Sequence, residues 1–310
     1  MAHWLWNDVR EVDWRRHLAS AGKSAFEQAW AYGEAAVAIG GFRVDRGVAM
    51  HQDRAIAIVQ AFTRRYAGLV QVTQLLRGPL WLSDEITAED RATLLHAIKT
   101  RFTSERLRFL YWVPELDASA AQEMRTVRLH RVMTGYSSIW LDLAPTAEDL
   151  RRALDGSWRN MVTSAERNDL VVKTGHGGQD FERLLARDDE QRRRRRFRAV
   201  GSAFLRTTAA ATKPRSDVLV TSAHQGSEMV AGALFFRHGQ AATYYVGWTS
   251  ESGRKAHAQN LLLWRGILEL KQVGVRWIDL GGLDTARQPG IARFKLGLGG
   301  TPYTLAGSYL

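Results

Sequence analysis

Residues 241–282 read AATYYVGWTSESGRKAHAQNLLLWRGILELKQVGVRWIDLGG, and this stretch decides the fold class. Its first part, Ala241–Trp248, is an apolar and aromatic run of the kind that forms a strand. Residues Ala256–Val273 then carry apolar side chains at helical spacing, and Val275–Leu280 predicts a second buried strand. Strands that alternate with helices in this way indicate a mixed α/β fold.

The same helix–strand unit occurs earlier in the chain. Ala88–Phe102 predicts a helix whose first turn Thr87 can cap, and Arg108–Val113 predicts the strand that follows. At one constant offset, the earlier copy overlays on the later one as Leu94-Leu95 on Leu262-Leu263, Phe102 on Leu270, and Leu107–Leu110 on Val275–Ile278. Equal spacing of this kind predicts a duplicated domain, although a single match of such a common unit also arises by chance.

Further strands are predicted around these two units. They are Gly47–Val59, Gly68–Gln74, Asp217–Thr221 and Met229–Arg237, with a turn at His224–Ser227 before the last of them.

The boundary between the two halves is expected near residues 135–145. Ala144–Asp149 predicts a loop that leads into a helix, with Thr146 as its cap. Tyr303–Leu310 is apolar and strand-like, and we expect it to return to a sheet.

Composition excludes several classes of protein. The chain has 310 residues, of which 45% are hydrophobic and 24% charged, which is typical of a globular protein and not of a disordered one. No apolar run approaches the roughly 18–20 residues that a membrane span needs. The start, Met1–Arg16, is too charged for a signal peptide, so we expect a cytoplasmic protein.

Charge and cysteine content narrow the chemistry. The sequence contains no cysteine, which excludes disulfides, thiolate catalysis and cysteine-based zinc sites. It has 43 Lys and Arg against 32 Asp and Glu, a formal charge of +11. Such a charge favours a polyanionic partner: a nucleic acid, a phosphorylated substrate or an anionic membrane surface.

Two stretches near the C-terminus are typical of ligand binding. Gly253-Arg254-Lys255 precedes a predicted helix, where free N–H groups and the helix dipole favour an anion; a solvated turn is the alternative. Asp279 ends a predicted strand and is followed by Gly281 and Gly282, which allow a ligand to approach the backbone. The alternative there is a tight turn with a satisfied carboxylate.

Lys295 lies beside Phe294 in the glycine-rich stretch Gly290–Gly300. The glycines argue against a helix, so we expect a strand or loop. A lysine there can neutralise a phosphate or a developing oxyanion, although taken alone a solvent-facing lysine is the commoner case.

Arg192–Arg196 is a run of five arginines next to acidic residues 188–190. It predicts a solvated helix, with a docking surface for RNA or anionic lipid as the alternative. The sequence has no metal-ligand spacing, P-loop, dinucleotide fingerprint or nucleophile elbow, so we expect no metal and no hydrolase, kinase or dehydrogenase.

The C-terminal third resembles the corresponding region of the Fem aminoacyltransferase family. The shared features are an aromatic strand that ends in Gly, an Asn before an apolar-Trp helix, a strand that ends in Asp and Gly, and a Phe-Lys pair in a Gly-rich tail. In this chain they are Tyr244-Tyr245 with Gly247, Asn260 through Trp264, Asp279 with Gly281, and Phe294-Lys295 before Gly299-Gly300. Weaker family-like elements are Gln28–Gly33, Arg77-Gly78-Pro79 and Ser157–Asn160.

The resemblance implies two tandem acetyltransferase-like (GNAT) domains. The first is expected over residues 1–140 and the second over 141–300, with 301–310 returning to complete the first. The implied reaction passes an aminoacyl group from charged tRNA to an amine, typically on a peptidoglycan precursor. Aminoacyl-tRNA is then a co-substrate and tRNA a partner, and no cofactor is needed. The net positive charge of the chain is also compatible with peripheral contact with an anionic membrane.

The resemblance also implies roles for individual residues. Lys295 is expected to stabilise charge on the acyl carbonyl or the tRNA leaving group, and Phe294 to position the donor. The residues implied to bind substrate are Tyr244, Tyr245, Asn260, Trp264, Asp279, Gly281, Trp30, Tyr32 and Arg77.

Two departures from the family pattern bear on the substrate. Ala36 stands where the family often has a lysine that contacts the precursor's phosphates, and no T-x-R element is evident near Thr207-Thr208-Ala209. One alternative is an acyl-CoA-dependent GNAT enzyme that holds pyrophosphate at Gly253, Arg254 and Lys255, although its usual glycine-rich loop is incomplete here. Another is a basic RNA-binding protein without catalysis.

Overall fold

The structure is a computed structural model that describes residues 2–83, 85–195 and 201–310. The described residues form two compact units. The first extends to Ser137 and includes Tyr303–Leu310, and the second is Ser138–Pro302.

The first unit is built on a mixed sheet. Its helices are α1 (Glu11–Ser20), α2 (Trp30–Gly40), α3 (Ala88–Thr103) and α4 (Glu123–Thr126). Its strands are β1 (His3–Trp6), β2 (Arg43–His51), β3 (Arg54–Tyr66), β4 (Val70–Leu76), β5 (Leu80–Trp81), β6 (Arg108–Val113), β7 (Arg131–Met133) and a C-terminal strand, Ser308–Tyr309. The sheet order is β1-β2-β3-β4-β6, then the C-terminal strand, then β7, while β5 pairs with β3.

The predicted helix–strand unit of the first half is confirmed. The Thr87 side chain accepts a hydrogen bond from Asp90 N and so caps α3. One face of α3 is buried, at Leu94, Leu95, Ile98 and Phe102. β6 runs parallel to β4, so α3 makes the crossover between two neighbouring strands.

The prediction of one strand over Gly47–Val59 was wrong. A hairpin turn at Gln52 and Asp53, both with positive φ (47° and 62°), divides it into β2 and β3. The turn was missed because it contains no Gly, the residue that most often supplies positive φ.

The second unit is also built on a mixed sheet. Its strands are β8 (Ser137–Asp142), β9 (Val171–Gly175), β10 (Val218–Gln225), β11 (Glu228–His238), β12 (Ala241–Thr249), β13 (Trp277–Asp279) and β14 (Thr301–Thr304). Its helices are α5 (Ala147–Ala153), α6 (Gly156–Glu166), α7 (Gly178–Arg195), α8 (Ser202–Ala211), α9 (Glu251–Lys255), α10 (Ala258–Gln272) and α11 (Pro289–Leu296). The order of strands is β14-β8-β13-β12-β11-β10-β9. In the described part of the chain, no helix has the length and apolar character to cross a membrane.

The C-terminal strand, β15 (Ser308–Tyr309), returns to the first sheet as expected. Tyr309 lies opposite Trp112 of β6 on one side and Arg131 of β7 on the other. The chain end therefore forms part of the sheet of the first unit.

The second unit repeats the strand–helix–strand arrangement of the first. β12 and β13 are parallel neighbours, and α10 connects them as α3 connects β4 and β6. Side chains of α10 enter the core, among them Leu263, Trp264, Ile267 and Leu270. The helix predicted from Ala256 begins at Ala258, after the separate short helix α9.

Candidate active site

The second sheet opens between its two parallel strands. Within the described residues, β12 and β13 pair from Ala241↔Trp277 to Thr243↔Asp279. β13 ends there, while β12 continues to Thr249. An opening at the carboxyl end of parallel strands is where α/β sheets place their ligands.

Gly281 makes the close approach at this opening. Its φ is +73°, and a Cβ there would lie 3.2 Å from the carbonyl oxygen of Tyr244 and 3.6 Å from Lys295 Nζ. A side chain would be both strained and crowded, so glycine is required for the turn that follows Asp279.

A β-bulge lies in β12 opposite Leu234 and Phe235. Leu234 pairs with Val246 and Phe235 with Tyr244, so Tyr245 is the extra residue. The Tyr244 ring packs on Phe235 at 5.4 Å and the Tyr245 ring on Phe236 at 5.9 Å. Because Phe235 and Phe236 point to opposite faces of β11, the two tyrosines lie on opposite faces of the sheet and cannot both line one channel.

Tyr244 lies on the side of the sheet that α10 covers. Its hydroxyl accepts a hydrogen bond from Gln259 Nε2 at 3.0 Å. Burial raises the pKa of Tyr244, so the phenol stays neutral and acts through hydrogen bonding. Gln259 Oε1 and Asn260 Nδ2, in the first turn of α10, are buried and have no partner among the described residues.

Lys295 lies on a helix, contrary to the expectation of a strand or loop. α11 begins with Pro289 in its first turn, and Gly297, Gly299 and Gly300 follow the helix instead of interrupting it. The lysine is buried, with 9% of its surface exposed, so the expectation of a solvent-facing side chain was also wrong. Its Nζ donates to the Gly282 carbonyl oxygen at 2.7 Å.

Two opposing effects set the pKa of Lys295. Burial lowers the pKa of Lys295 from 10.5 to about 8, and the nearby Asp279 carboxylate opposes that shift. A pKa of about 8 leaves the side chain mostly protonated at neutral pH. The site therefore presents a poorly hydrated ammonium group at the open end of the sheet.

Asp279 is enclosed by the protein. It is 1% exposed, and its Oδ1 accepts from Ser138 Oγ at 2.5 Å and from Gly281 N at 2.9 Å. This enclosure contradicts its predicted contact with substrate, because the carboxylate has no free surface to offer. Sequence reasoning did not identify Ser138, 141 residues away along the chain.

Phe294 and Trp264 belong to the core of the second unit. The Phe294 ring lies 5.6 Å from Trp158, whose Nε1 donates to the Phe294 carbonyl oxygen at 2.9 Å. These contacts hold α11 against α6. Trp264 is 4% exposed, so packing accounts for it and its predicted substrate contact was wrong.

Gly253, Arg254 and Lys255 do not form the loop expected from the sequence. They lie inside α9, where Gly253 N donates to Ser250 Oγ at 3.0 Å. Arg254 Nη1 donates to the Thr249 carbonyl oxygen, and Lys255 pairs with Glu251 at 3.1 Å. These three residues therefore belong to a helix and not to a loop, and their predicted contact with a donor phosphate stays a prediction.

Comparison with known proteins identifies the family. The family model described as an acetyltransferase (GNAT) domain matches residues 148–303, slightly more than half of the chain. The chain belongs to this family. The acyltransferase class expected from the sequence is thereby confirmed, whereas a search of curated proteins finds no match.

Several solved structures share the fold over nearly the whole chain. The crystal structure of FemX has a TM-score of 0.84 at 12% identity and covers 98% of this chain and 96% of its own. The C-terminal domain of a putative lysylphosphatidylglycerol synthetase from Agrobacterium fabrum has a TM-score of 0.58 at 13% identity, with 97% and 92% covered. A tandem GNAT protein from the clavulanic acid biosynthesis pathway has a TM-score of 0.56 at 14% identity, with 100% and 98% covered. At these identities the likeness shows the fold, and it confirms the tandem GNAT architecture.

The remaining predicted substrate residues of this GNAT protein lie in the first unit. The Arg46 guanidinium stacks on Trp30, 3.4 Å from the ring centroid, and the Tyr32 ring packs between Phe26 and Phe62 at 5.5 and 5.6 Å. Both aromatic side chains thus have partners within the unit, and their substrate contacts stay predictions.

Arg77 is occupied by a two-point ion pair. Its Nε and Nη2 each lie 2.7 Å from an oxygen of Glu115, and Nη2 also donates to the Tyr303 hydroxyl at 2.7 Å. With 6% of its surface exposed, Arg77 is accounted for by these contacts within the first unit, and its predicted contact with substrate stays a prediction.

The arginine run agrees only in part with the solvated-helix interpretation, because Arg193 and Arg194 are exposed whereas the Arg192 side chain is 13% exposed. Arg192 pairs with Asp188 at 2.8 Å and with Asp189 at 2.5 Å, and Arg194 pairs with Glu190 at 2.6 Å. Arg196 lies outside the described residues.

A Ser–His–Asp cluster in the second unit escaped the sequence analysis. Ser222 Oγ donates to Asp180 at 2.7 Å, and His224 Nε2 lies 3.1 Å from both. A catalytic triad uses separate ring nitrogens for serine and carboxylate, whereas here one nitrogen contacts both and the serine is bonded to the aspartate. The cluster therefore anchors α7 to β10 and is not a nucleophilic site.

Proposed function

We propose that this GNAT protein is a Fem-like N-acyltransferase that moves an aminoacyl group from aminoacyl-tRNA to an amine. The observation that carries the proposal is the buried Lys295 ammonium at the open end of β12 and β13. The acceptor is the amine of a peptidoglycan precursor, a peptide or another small molecule.

In this reaction the acceptor amine is the nucleophile, so the protein has mainly to stabilise the negative charge that develops. The acceptor nitrogen bonds to the ester carbonyl carbon, the carbon–oxygen bond to the tRNA ribose breaks, and a proton passes from the nitrogen to the leaving oxygen. Negative charge develops on the carbonyl oxygen and then on the ribose oxygen. Lys295 supplies a poorly hydrated cation for that charge, which is worth far more than the same cation in water.

The donor assignment rests on what surrounds α10. An acyl-CoA enzyme needs N–H groups for pyrophosphate at this helix start. In α9, Gly253 N donates to Ser250 Oγ, and in the first turn of α10 Asn260 N donates to the His257 carbonyl oxygen. Fewer N–H groups remain for an anion, whereas the +11 charge favours a tRNA donor.

The proposal includes no bound cofactor or metal, because the ester is already activated and proximity with charge stabilisation can suffice. Ala36, where the family often has a phosphate-binding lysine, favours a peptide or small amine over a nucleotide-linked precursor. Use of charged tRNA favours a cytoplasmic location.

The test is transfer of label from a mixture of radiolabelled aminoacyl-tRNAs, run beside labelled acyl-CoA with a panel of amines. Lys295→Met keeps the length of the side chain and removes its charge. We expect it to lower tRNA-dependent transfer by about 10²–10³-fold, the loss typical of one oxyanion contact. Lys271→Met is the control, since Lys271 Nζ donates to the Leu143 carbonyl oxygen, away from the opening.

Lys255→Ala separates the donors. It should leave tRNA-dependent transfer unchanged, whereas an acyl-CoA enzyme using Lys255 would lose affinity for its donor. Turnover of acyl-CoA alone would overturn the proposal. So would tight RNA binding without any transfer of label that depends on Lys295.

A further inference from the structure

Ser138 and Asp279 form a buried pair on neighbouring strands of the second unit. Ser138 lies on β8 and Asp279 at the end of β13, and the two are 0% and 1% exposed. Ser138 Oγ is 2.5 Å from Asp279 Oδ1. A charge buried to this extent is costly unless it is hydrogen-bonded and paired.

The pair holds the turn that contacts Lys295. Asp279 Oδ1 accepts from Gly281 N at 2.9 Å, and Ser138 Oγ lies 2.9 Å from the Gly281 carbonyl oxygen. The next carbonyl, that of Gly282, accepts from Lys295 Nζ at 2.7 Å. A continuous series of contacts thus runs from β8 through the turn to the ammonium group.

We propose that Asp279 and Ser138 are positioning residues for Lys295. Asp279 supplies the negative charge that keeps the buried side chain an ammonium ion, and Ser138 fixes the turn whose Gly282 carbonyl holds Nζ in place. This inference rests on the proposed function in one respect, namely that Lys295 takes part in the reaction.

Among the charged groups near Lys295, Asp279 is the one that opposes the effect of burial on its pKa. Burial lowers the pKa of Lys295 and Asp279 raises it. On β12, Tyr244 stays neutral because burial raises its pKa. Arg293 on α11 and Asp155 at the start of α6 are exposed to solvent, and Arg159 on α6 donates to the Arg152 carbonyl oxygen.

The two residues can be tested separately. Asp279→Asn removes the charge and keeps an oxygen that can accept from Ser138 and Gly281. Ser138→Ala removes the hydroxyl and keeps the charge. The matched controls are Asp142→Asn on β8, whose carboxylate accepts from Arg276, and Ser137→Ala, whose hydroxyl lies 2.8 Å from that of Thr304.

The first measurement needs no substrate. Each variant is acetylated with a trace of acetic anhydride over a range of pH, and the labelling of Lys295 relative to Lys271 is read by mass spectrometry. Asp279→Asn should move the Lys295 midpoint to lower pH, and a shift of one unit corresponds to about a tenfold rise in the ratio of unprotonated to protonated Lys295. Ser138→Ala should raise the reactivity of Lys295 several-fold without moving the midpoint, because the turn is looser and the charge remains.

The second measurement is the pH dependence of aminoacyl transfer. Asp279→Asn should shift the alkaline decline in kcat to lower pH, and Ser138→Ala should lower kcat with no shift. A Lys295 midpoint in Asp279→Asn equal to that of the unaltered protein overturns the proposal. Equal behaviour of Ser138→Ala and Ser137→Ala in both measurements overturns its second half.

The labelling arm also separates this inference from the proposed function. A shifted Lys295 midpoint without any tRNA-dependent transfer supports the positioning roles and rejects the function. If Asp279→Asn does not fold, as judged by its thermal transition, the same titration of Asp279→Ser decides.

Discussion

Tyr244 occupies the space that a side chain on Gly247 would fill. A Cβ on residue 247 would lie 1.7 Å from the Tyr244 hydroxyl oxygen and 3.2 Å from Gln259 Nε2. The extra residue Tyr245 puts Tyr244 and Gly247 on one face of β12, although they are three positions apart. The bulge and the glycine together therefore set where the phenol lies.

Gly247→Ala is expected to displace the Tyr244 ring and break its hydrogen bond with Gln259. The added methyl overlaps a buried group, and overpacking of this kind typically costs about 1–3 kcal/mol. We expect a lower free energy of unfolding, measured in urea, and a lower rate of acyl transfer.

The double variant Gly247→Ala/Tyr244→Leu is the control for that mechanism. Without the phenol, the alanine methyl has room, so the glycine substitution should cost much less than in the unaltered protein. If Gly247→Ala lowers the free energy of unfolding equally with and without the Tyr244 phenol, the alanine methyl acts through another contact.

Lys295 is expected to make stability depend on pH in a defined range. Its pKa is about 8 in the folded protein and 10.5 as the ordinary value. Between these pH values the unfolded chain binds the proton more tightly, so folding becomes more favourable as pH rises. Below pH 8 both states are protonated and the contribution is flat.

Lys295→Met removes this dependence. The free energy of unfolding of the unaltered protein should rise relative to the variant between pH 8 and pH 10.5, by up to roughly 3 kcal/mol. Paired urea titrations across that range measure the difference, in which groups common to both proteins cancel. A difference that stays constant with pH would contradict the buried cation.

The sequence predicted the elements whose periodicity is strong. Ala88–Phe102 became α3 with one added residue, and Arg108–Val113 became β6 without change. Both patterns depend on contacts within a few residues or on a continuous buried run, which one sequence displays directly.

The site was predictable only in part. Lys295 and Asp279 could be selected because a lysine among glycines and a carboxylate at a strand end are unusual. That Lys295 is helical and buried could not, since the packing of Phe294 against Trp158 on α6 decides it. Ser138 carries no local signal, and only the register of β8 with β13 brings it to Asp279.

The Arg77–Glu115 pair is expected to stabilise the first unit. Both side chains are nearly buried, at 8% and 14% exposed, and share two hydrogen bonds. Glu115→Gln leaves the guanidinium without its counter-charge, and breaking such a pair typically costs about 3–5 kcal/mol. Urea unfolding measures the loss, and the double variant Arg77→Met/Glu115→Leu should recover much of it. A cost under about 0.5 kcal/mol for Glu115→Gln, the size of an ordinary surface substitution, would contradict the assignment.

The returning strand β15 is expected to be essential to the first unit. Tyr309 is 5% exposed and pairs on both sides, with Trp112 and Arg131. Tyr309→Ala removes a large buried ring and should lower the free energy of unfolding by about 3–5 kcal/mol. The neighbouring Leu310 is 50% exposed, so Leu310→Ala should change the free energy of unfolding by no more than about 0.5 kcal/mol.

Equal effects of the two substitutions would mean that these residues contribute to stability without the pairing seen in the sheet. A large effect of Tyr309→Ala alone would show that the first unit depends on the last residues of the chain, because no other segment lies between β6 and β7 in the described sheet.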